Sequence, residues 1–433
     1  MKRYIDPDRT LWPELTERAT ADDALIEGRV AGIIERVRCE GDKALIALSA
    51  EIDSVDLSAG MEVSAEEIEA AALSVPEELK TAIAAAYDNI YGFHAAQKME
   101  PVDMQTVPGV RCVQKQVPVQ RVGLYIPGGS APLFSTVLML AIPAKVAGCR
   151  EIVLCTPCGK DGKVASAVLY AASVCGVDRI FKIGGSQAVA AMAFGTETVP
   201  AVDKIFGPGN RYVTKAKEMV SRKVAIDMPA GPSEVLVMAD QTAVPAFVAS
   251  DLLSQAEHGP DSQVILVCPS CEVADKVEAQ VQEQLERLPR RDVAVKALEN
   301  SRVIVISSRD EQIEFVNEYA AEHLIISMDN PWSVAERITA AGSVFIGNYT
   351  PESAGDYASG TNHTLPTSGW ARSMSGVNLD SFMRKITYQE ITAEGIRSLG
   401  KTIVTMAQAE GLDAHANAAL VRMEIATSLR SSR

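Results

Sequence analysis

The stretch RVGLYIPGGSAPLFSTVLMLAIPAKVAGCREIVLCTP, residues 121–157, decides the fold. It opens with a short apolar run, breaks at two glycines, continues at helix length and returns to a second short run rich in Val and Ile. Strand, turn, helix and strand in that order make one βαβ unit. Such units build parallel sheets, because parallel partners need a crossover long enough to hold a helix. The pattern continues downstream, with RIFKIGG and KIFGPGN separated by the helical stretches GKVASAVLYAASVCG and SQAVAAMAFG.

A second series follows. EVLVMAD, SQVILVCP, SRVIVISS, HLIISMD and GSVFIGN alternate with helical patterns at about 243–258, 272–288, 309–321 and 331–341. The fold class is therefore α/β: two Rossmann-like parallel-sheet domains of similar construction, incomplete and without GxGxxG. Residues 1–120 read as mostly helical, with SAEE, Ser64 to Glu67, as a capping-box start. The expected division is a helical arm over 1–22 and a discontinuous first α/β domain over 23–120 and 237–378. The second α/β domain covers 121–236, and a small helical C-terminal domain covers 379–433.

With 433 residues the chain is too long for one core. Its net charge of -15 argues against a nucleic-acid partner, which needs a basic face. The N-terminal residues lack the apolar segment of a secretion signal, and no apolar run reaches membrane-span length. A cytoplasmic location is the default. The eight cysteines read as small apolar residues of a reducing compartment rather than as disulfides. Two CxxC pairs, Cys155–Cys158 and Cys268–Cys271, stand too far apart in sequence for a zinc ribbon, and each ends a strand-like run.

The chemistry gathers around the five histidines. His94, in IYGFHAAQK, reads as a satisfied polar residue. His258 ends the helix VPAFVASDLLSQAEH, where Gly259 can cap the helix and Pro260 stops it. Gln255 lies three residues earlier, next to His258 on the helix face that Val244, Val248 and Leu252 mark as buried. A long polar residue thus stands where an apolar one is expected, and either a metal site or a polar helix end would explain it. His323 follows Glu322 where a helix gives way to a strand, so the pair is either an acid–base couple or a solvated helix end. His363 and Asp356 share the long Gly/Ser/Thr/Pro-rich segment 349–378. A loop of that length suggests function, and carboxylate with imidazole suits zinc. An Asx turn is the plain alternative for Asp356. His415 opens the last helix, five residues after Glu410. KIGGSQAVA and FGPGNRYV place glycines before helix starts, as phosphate sites do, but neither is a dinucleotide fingerprint.

Taken together, RVGLYIPGGSAPLFSTVLM, KIGGSQAVAAMAFGTE, FGPGNRYV, DMPAGPSEVLV, DLLSQAEHGPDSQ, EHL and GDYASGTNHTLPT resemble the histidinol dehydrogenase family, in order and over nearly the whole chain. The resemblance implies a zinc- and NAD-dependent enzyme that oxidises L-histidinol through L-histidinal to L-histidine with two NAD+. It implies Gln255, His258, Asp356 and His415 as ligands of one Zn2+ per subunit, and Glu322 and His323 as proton acceptors. It implies substrate contacts at Ser233, His363 and Glu410 besides His323 and the zinc ligands, and NAD+ contacts at Tyr125, Gln187 and Asn210. It also implies a homodimer in which His415 completes the partner's site. Neutral His323 would suit proton abstraction near neutral pH. Two competing functions remain: a zinc hydrolase acting on an amide or imine, with Glu322 activating water, and a zinc-stabilised binding protein without catalysis.

Overall fold

The computed structural model describes residues 1–18, 24–128, 132–229 and 231–431. Its strands are β1 (Lys2–Ile5), β2 (Val102–Val107), β3 (Val110–Pro118), β4 (Arg121–Tyr125), β5 (Glu151–Cys155), β6 (Arg179–Phe181) and β7 (Lys204–Phe206). They continue with β8 (Ala225–Ile226), β9 (Glu234–Ala239), β10 (Gln263–Cys268), β11 (Arg302–Val305), β12 (His323–Ser327), β13 (Ser343–Ile346) and β14 (Met383–Ile391).

Two parallel sheets repeat one topology. The first runs β1-β11-β10-β9-β12-β13 and the second β6-β5-β4-β7-β8. Setting β1 aside, the strands of each sheet lie in the spatial order third, second, first, fourth, fifth. This is the Rossmann order with its last strand missing. Cys155 and Cys268 both end the second strand of their sheet, so the matched CxxC segments occupy equivalent places.

The central strands β9 and β10 are rich in Val, Ile and Leu and buried throughout because both sheet faces are covered. In β9, Val235, Val237 and Ala239 join one core cluster, and Leu236 and Met238 join the opposite one. The crossover helices must run back against the strands. Helix C-termini therefore share an edge with strand N-termini, and the sites described below depend on this.

Several local readings of the sequence are corrected. Residues 2–5 are not part of a helical arm but a strand, paired in parallel with β11. Residues 102–118 are a hairpin rather than helix: their polar and apolar residues alternate, and Gly109 turns the chain at φ +80. Ile26, Val30, Val37, Leu45 and Leu48 pack with Val153, Phe181 and Met192 of the second sheet unit rather than with 237–378. That sheet needs an apolar cover, which these residues provide. The segment after 379 begins with a strand, β14, before its helices. The long loop contains a short helix, Glu352–Tyr357.

By compactness the chain divides into residues 1–96 with 119–382, and residues 97–118 with 383–433. The smaller unit is the antiparallel sheet β14-β3-β2 with helices Ala393–Ala409 and Asp413–Ser431. Among the described residues no helix is long and apolar enough to cross a membrane.

Candidate active site

Glu322 immediately precedes β12 and Glu234 opens β9, its parallel neighbour. At this shared edge the two residues grip each other. The Glu234 N–H donates to Glu322 Oε2 at 2.8 Å, and the Glu322 N–H donates to Glu234 Oε1 at 3.2 Å. Arg18 holds the Glu234 carboxylate through two bonds of 2.8 and 2.9 Å, while its guanidinium lies 3.7 Å over the Tyr319 ring. Two buried carboxylates thus stand side by side beside one fixed cation, as burial of charge requires.

His323 is 4 % exposed. Its Nδ1 lies 3.3 Å from the Glu234 carbonyl, which fixes Nδ1 as the N–H of the neutral ring. In that neutral form Nε2 is the proton acceptor, and among the described residues it is buried without a hydrogen-bond partner. Glu322 and Glu352 lie 3.6 and 3.7 Å from Nδ1, and Asp356 lies 3.6 Å from Nε2. Burial opposes a charge on this ring, but the surrounding carboxylates outweigh it and hold the imidazole well above its ordinary pKa. This departs from the neutral His323 expected near pH 7, because three acids converge on one histidine.

Gln255 and His258 reach the same edge because their helix, Pro245–Ala256, follows β9 and runs back along it. Gln255 is fully buried, its Oε1 accepting from the Glu234 N–H at 3.0 Å and its Nε2 donating to Glu352. His258 is exposed at the helix end. Asp356 closes the group from the helix Glu352–Tyr357. Burial pushes its carboxyl up, but His323, His363 and His258 together hold it below the usual range. Burial pushes Glu352 up to about 8, which His323 opposes and Asp356 and Glu322 reinforce.

His363 links this edge to the second sheet. Its Nδ1 lies 2.9 Å from the Asp356 carbonyl and its Nε2 3.2 Å from Thr136 Oγ1, in the helix that follows β4. Burial lowers its pKa, leaving the ring neutral. His94 is buried and bonded to the Ile90 carbonyl at 2.8 Å and to Asn362 at 3.4 Å, so it anchors the loop beside His363. Ser233, half-buried, precedes β9.

At the carboxyl edge of the second sheet, Tyr125 ends β4 and its hydroxyl accepts from the Gly185 N–H at 3.1 Å. Gln187 is buried in the first turn of helix Gly185–Phe194 and donates to Asp53 at 3.1 Å. Asn210 caps the helix Arg211–Val220, its side chain accepting from the Tyr212 and Val213 N–H groups. Gly207, at φ +126, passes so close to β4 that a Cβ would lie 2.1 Å from the Tyr125 carbonyl oxygen. Lys217 and Asp227 form a buried pair that holds both polar groups of Gly207, the carbonyl at 2.9 Å and the N–H at 2.8 Å.

Glu410 and His415 are exposed residues of the smaller unit, at the end of helix Ala393–Ala409 and the start of helix Asp413–Ser431. Among the described residues no group of three or more His, Cys, Asp or Glu is placed to hold a metal. Cys155 and Cys268 are buried, with thiols pushed up to about 12 and about 11 by burial. They are poor nucleophiles.

Sequence reasoning missed Arg18, Glu234 and Glu352. Glu234 carried a signal, a charged residue in a strand otherwise wholly apolar. Glu352 looked like an ordinary first-turn acid after Pro351, and Arg18 had no signal.

The family model for histidinol dehydrogenase matches residues 16–423. A histidinol dehydrogenase from Bacteroides thetaiotaomicron is 56% identical over 424 residues, 98% of this chain and 99% of the relative. The Escherichia coli histidinol dehydrogenase is 55% identical over 397 residues, 91% of this chain and 90% of the relative. The crystal structure of histidinol dehydrogenase from Elizabethkingia anophelis superposes with a TM-score of 0.96 at 51% identity, covering 98% of both chains. The chain that carries this buried acid–imidazole cluster, with His363 bonding towards the second sheet, therefore belongs to the histidinol dehydrogenase family.

Proposed function

We propose that the chain oxidises L-histidinol through L-histidinal to L-histidine with two NAD+, using zinc, as the last step of histidine biosynthesis in the cytoplasm. One observation carries the chemistry: among the described residues the buried Nε2 of His323 has no partner, while its Nδ1 is tied to the Glu234 carbonyl.

Zinc suits the donor set. One imidazole, one carboxylate and one amide from this chain, His258, Asp356 and Gln255, are borderline-soft ligands, and His415 of a partner subunit would be the fourth. The electrostatics agree. Among the described residues Glu234, Glu322, Glu352 and Asp356 gather here around one guanidinium and His323, so a dication is welcome. Zinc, when bound, would orient the substrate's imidazole and amine. Gln255 is the ligand best able to yield its place, because both ends of its carboxamide have protein partners.

NAD+, when bound, takes the hydride at each oxidation. His323 Nε2 takes the hydroxyl proton in the first, as the C–H bond breaks. In the second, Glu322 takes a proton from the water that adds to the aldehyde, and His323 serves again. A cation drawn to Asp356 competes with the proton on His323 and favours its basic form. Ser233, His363 and Glu410 hold substrate, while Tyr125, Gln187 and Asn210 line the dinucleotide crevice. Exposed Leu412, Val421 and Ile425 on and beside the last helix support a homodimer, since a second copy would cover them.

Family membership favours oxidation over hydrolysis of an amide or imine. Adding L-histidinol and NAD+ to the purified protein should raise absorbance at 340 nm, and chelation should abolish the rise. A protein that holds zinc yet yields no NADH would overturn this function.

A further inference from the structure

The residue that chooses between NAD+ and NADP+ in a Rossmann-ordered sheet is commonly an acid at the end of the second strand, where it binds the adenosine ribose. In the second sheet that strand is β5, and Thr156, Pro157 and Cys158 follow it. No acid stands there. One arrives from elsewhere in the chain. Asp53 closes a helical turn, Ser49–Asp53, in the N-terminal segment that packs on this sheet.

Asp53 has three neighbours in the crevice, one of them hydrogen-bonded to it. Its Oδ2 accepts from Gln187 Nε2 at 3.1 Å. Its charge acts on the Tyr125 hydroxyl at the end of β4 and on the Cys158 thiol beyond β5. It therefore lies over the β4–β5–β6 half of the carboxyl edge, where the ribose-binding acid of the usual arrangement stands. Asp53 is half-buried, and among the described residues its Oδ1 has no hydrogen-bond partner. No cation pairs with it among the described residues. A carboxylate so placed can accept two hydroxyl hydrogens from a ribose diol, and it repels a phosphate at the same position.

We propose that Asp53 is the specificity residue of the dinucleotide site, accepting the adenosine ribose hydroxyls of NAD+ and excluding the 2′-phosphate of NADP+. This rests on the NAD+ reading above.

The test is equilibrium binding of NADH and NADPH, followed by nucleotide fluorescence, to the full-length protein and to Asp53→Asn and Asp53→Ala. Asp53→Asn keeps an oxygen for Gln187 and removes the charge. The wild-type protein should prefer NADH by at least about 100-fold. Both variants should narrow that preference by about tenfold or more, with NADH affinity falling and NADPH affinity rising. Steady-state kcat/KM for the two oxidised dinucleotides should move in parallel. Asp53→Asn with wild-type preference would overturn the assignment and leave the NAD+ reading intact. A wild-type protein that binds neither dinucleotide would overturn both.

Discussion

At the residue scale, each polar group of the site has a counterpart that explains its position. Glu234 touches Glu322, His323 and Gln255 through its own N–H, carbonyl and carboxylate, so one residue sets three others. Arg18 in turn opposes the upward push that burial gives the Glu234 carboxyl. If Glu322 acts on water and His323 on the substrate hydroxyl, their losses differ by half-reaction. Glu322→Gln should slow conversion of histidinal to histidine by about 100-fold, while slowing histidinol oxidation less than tenfold. Separate assays with histidinol and with histidinal check this, and equal losses would contradict it. Asp251 lies one turn before Gln255, and its pKa is raised by burial to about 7. The folded carboxyl therefore binds a proton more tightly than the unfolded one. Its penalty is absent below about pH 4 and grows as pH rises to about 7, where it amounts to at most a few kcal/mol. Asp251→Asn, measured by urea unfolding of chelated protein, should flatten the loss of stability between about pH 4 and pH 7.

At the element scale, the site follows from one rule of βαβ geometry: helices return against the strands. Gln255 and His258 end a helix, and Glu322 and His323 begin a strand, so the edge they share is the amino end of the first sheet. The proposed dinucleotide crevice lies at the carboxyl end of the second. The sequence showed both sheets through apolar runs alternating with helical periodicity. It also showed Gln255 as a polar residue on an apolar face. It did not show the β2–β3 hairpin, whose strands are largely solvent-facing and whose pairing with β14 spans most of the chain. Nor did it show Glu352 or Arg18, because a buried carboxylate or guanidinium has no local signature; its partners are distant in sequence. Gly207 carries a testable element-scale claim. Its left-handed backbone and contact with the Tyr125 carbonyl leave no room for a side chain. Gly207→Ala should cost about 2 kcal/mol or more in stability and weaken NADH binding. Urea unfolding and nucleotide fluorescence measure the two effects.

At the scale of the whole molecule, two incomplete Rossmann-ordered sheets divide the labour. One gathers the acids and His323, the other the glycine-lined crevice, and His363 bonds to both. The smaller unit carries Glu410, which the family resemblance assigns to substrate, and His415, which it assigns to the site of a second copy. If the site is shared in that way, mixing inactive His258→Asn and His415→Asn proteins under reassociating conditions should restore about a quarter of wild-type activity. No restoration, with hybrids verified by mass spectrometry, would place His415 in its own subunit's site. The most direct measurement of the account is the stoichiometry of a limiting-substrate reaction. The protein, given a small known amount of L-histidinol and excess NAD+, should form two NADH for each histidinol consumed and leave L-histidine as the product. One NADH per histidinol, with the aldehyde accumulating, would contradict it.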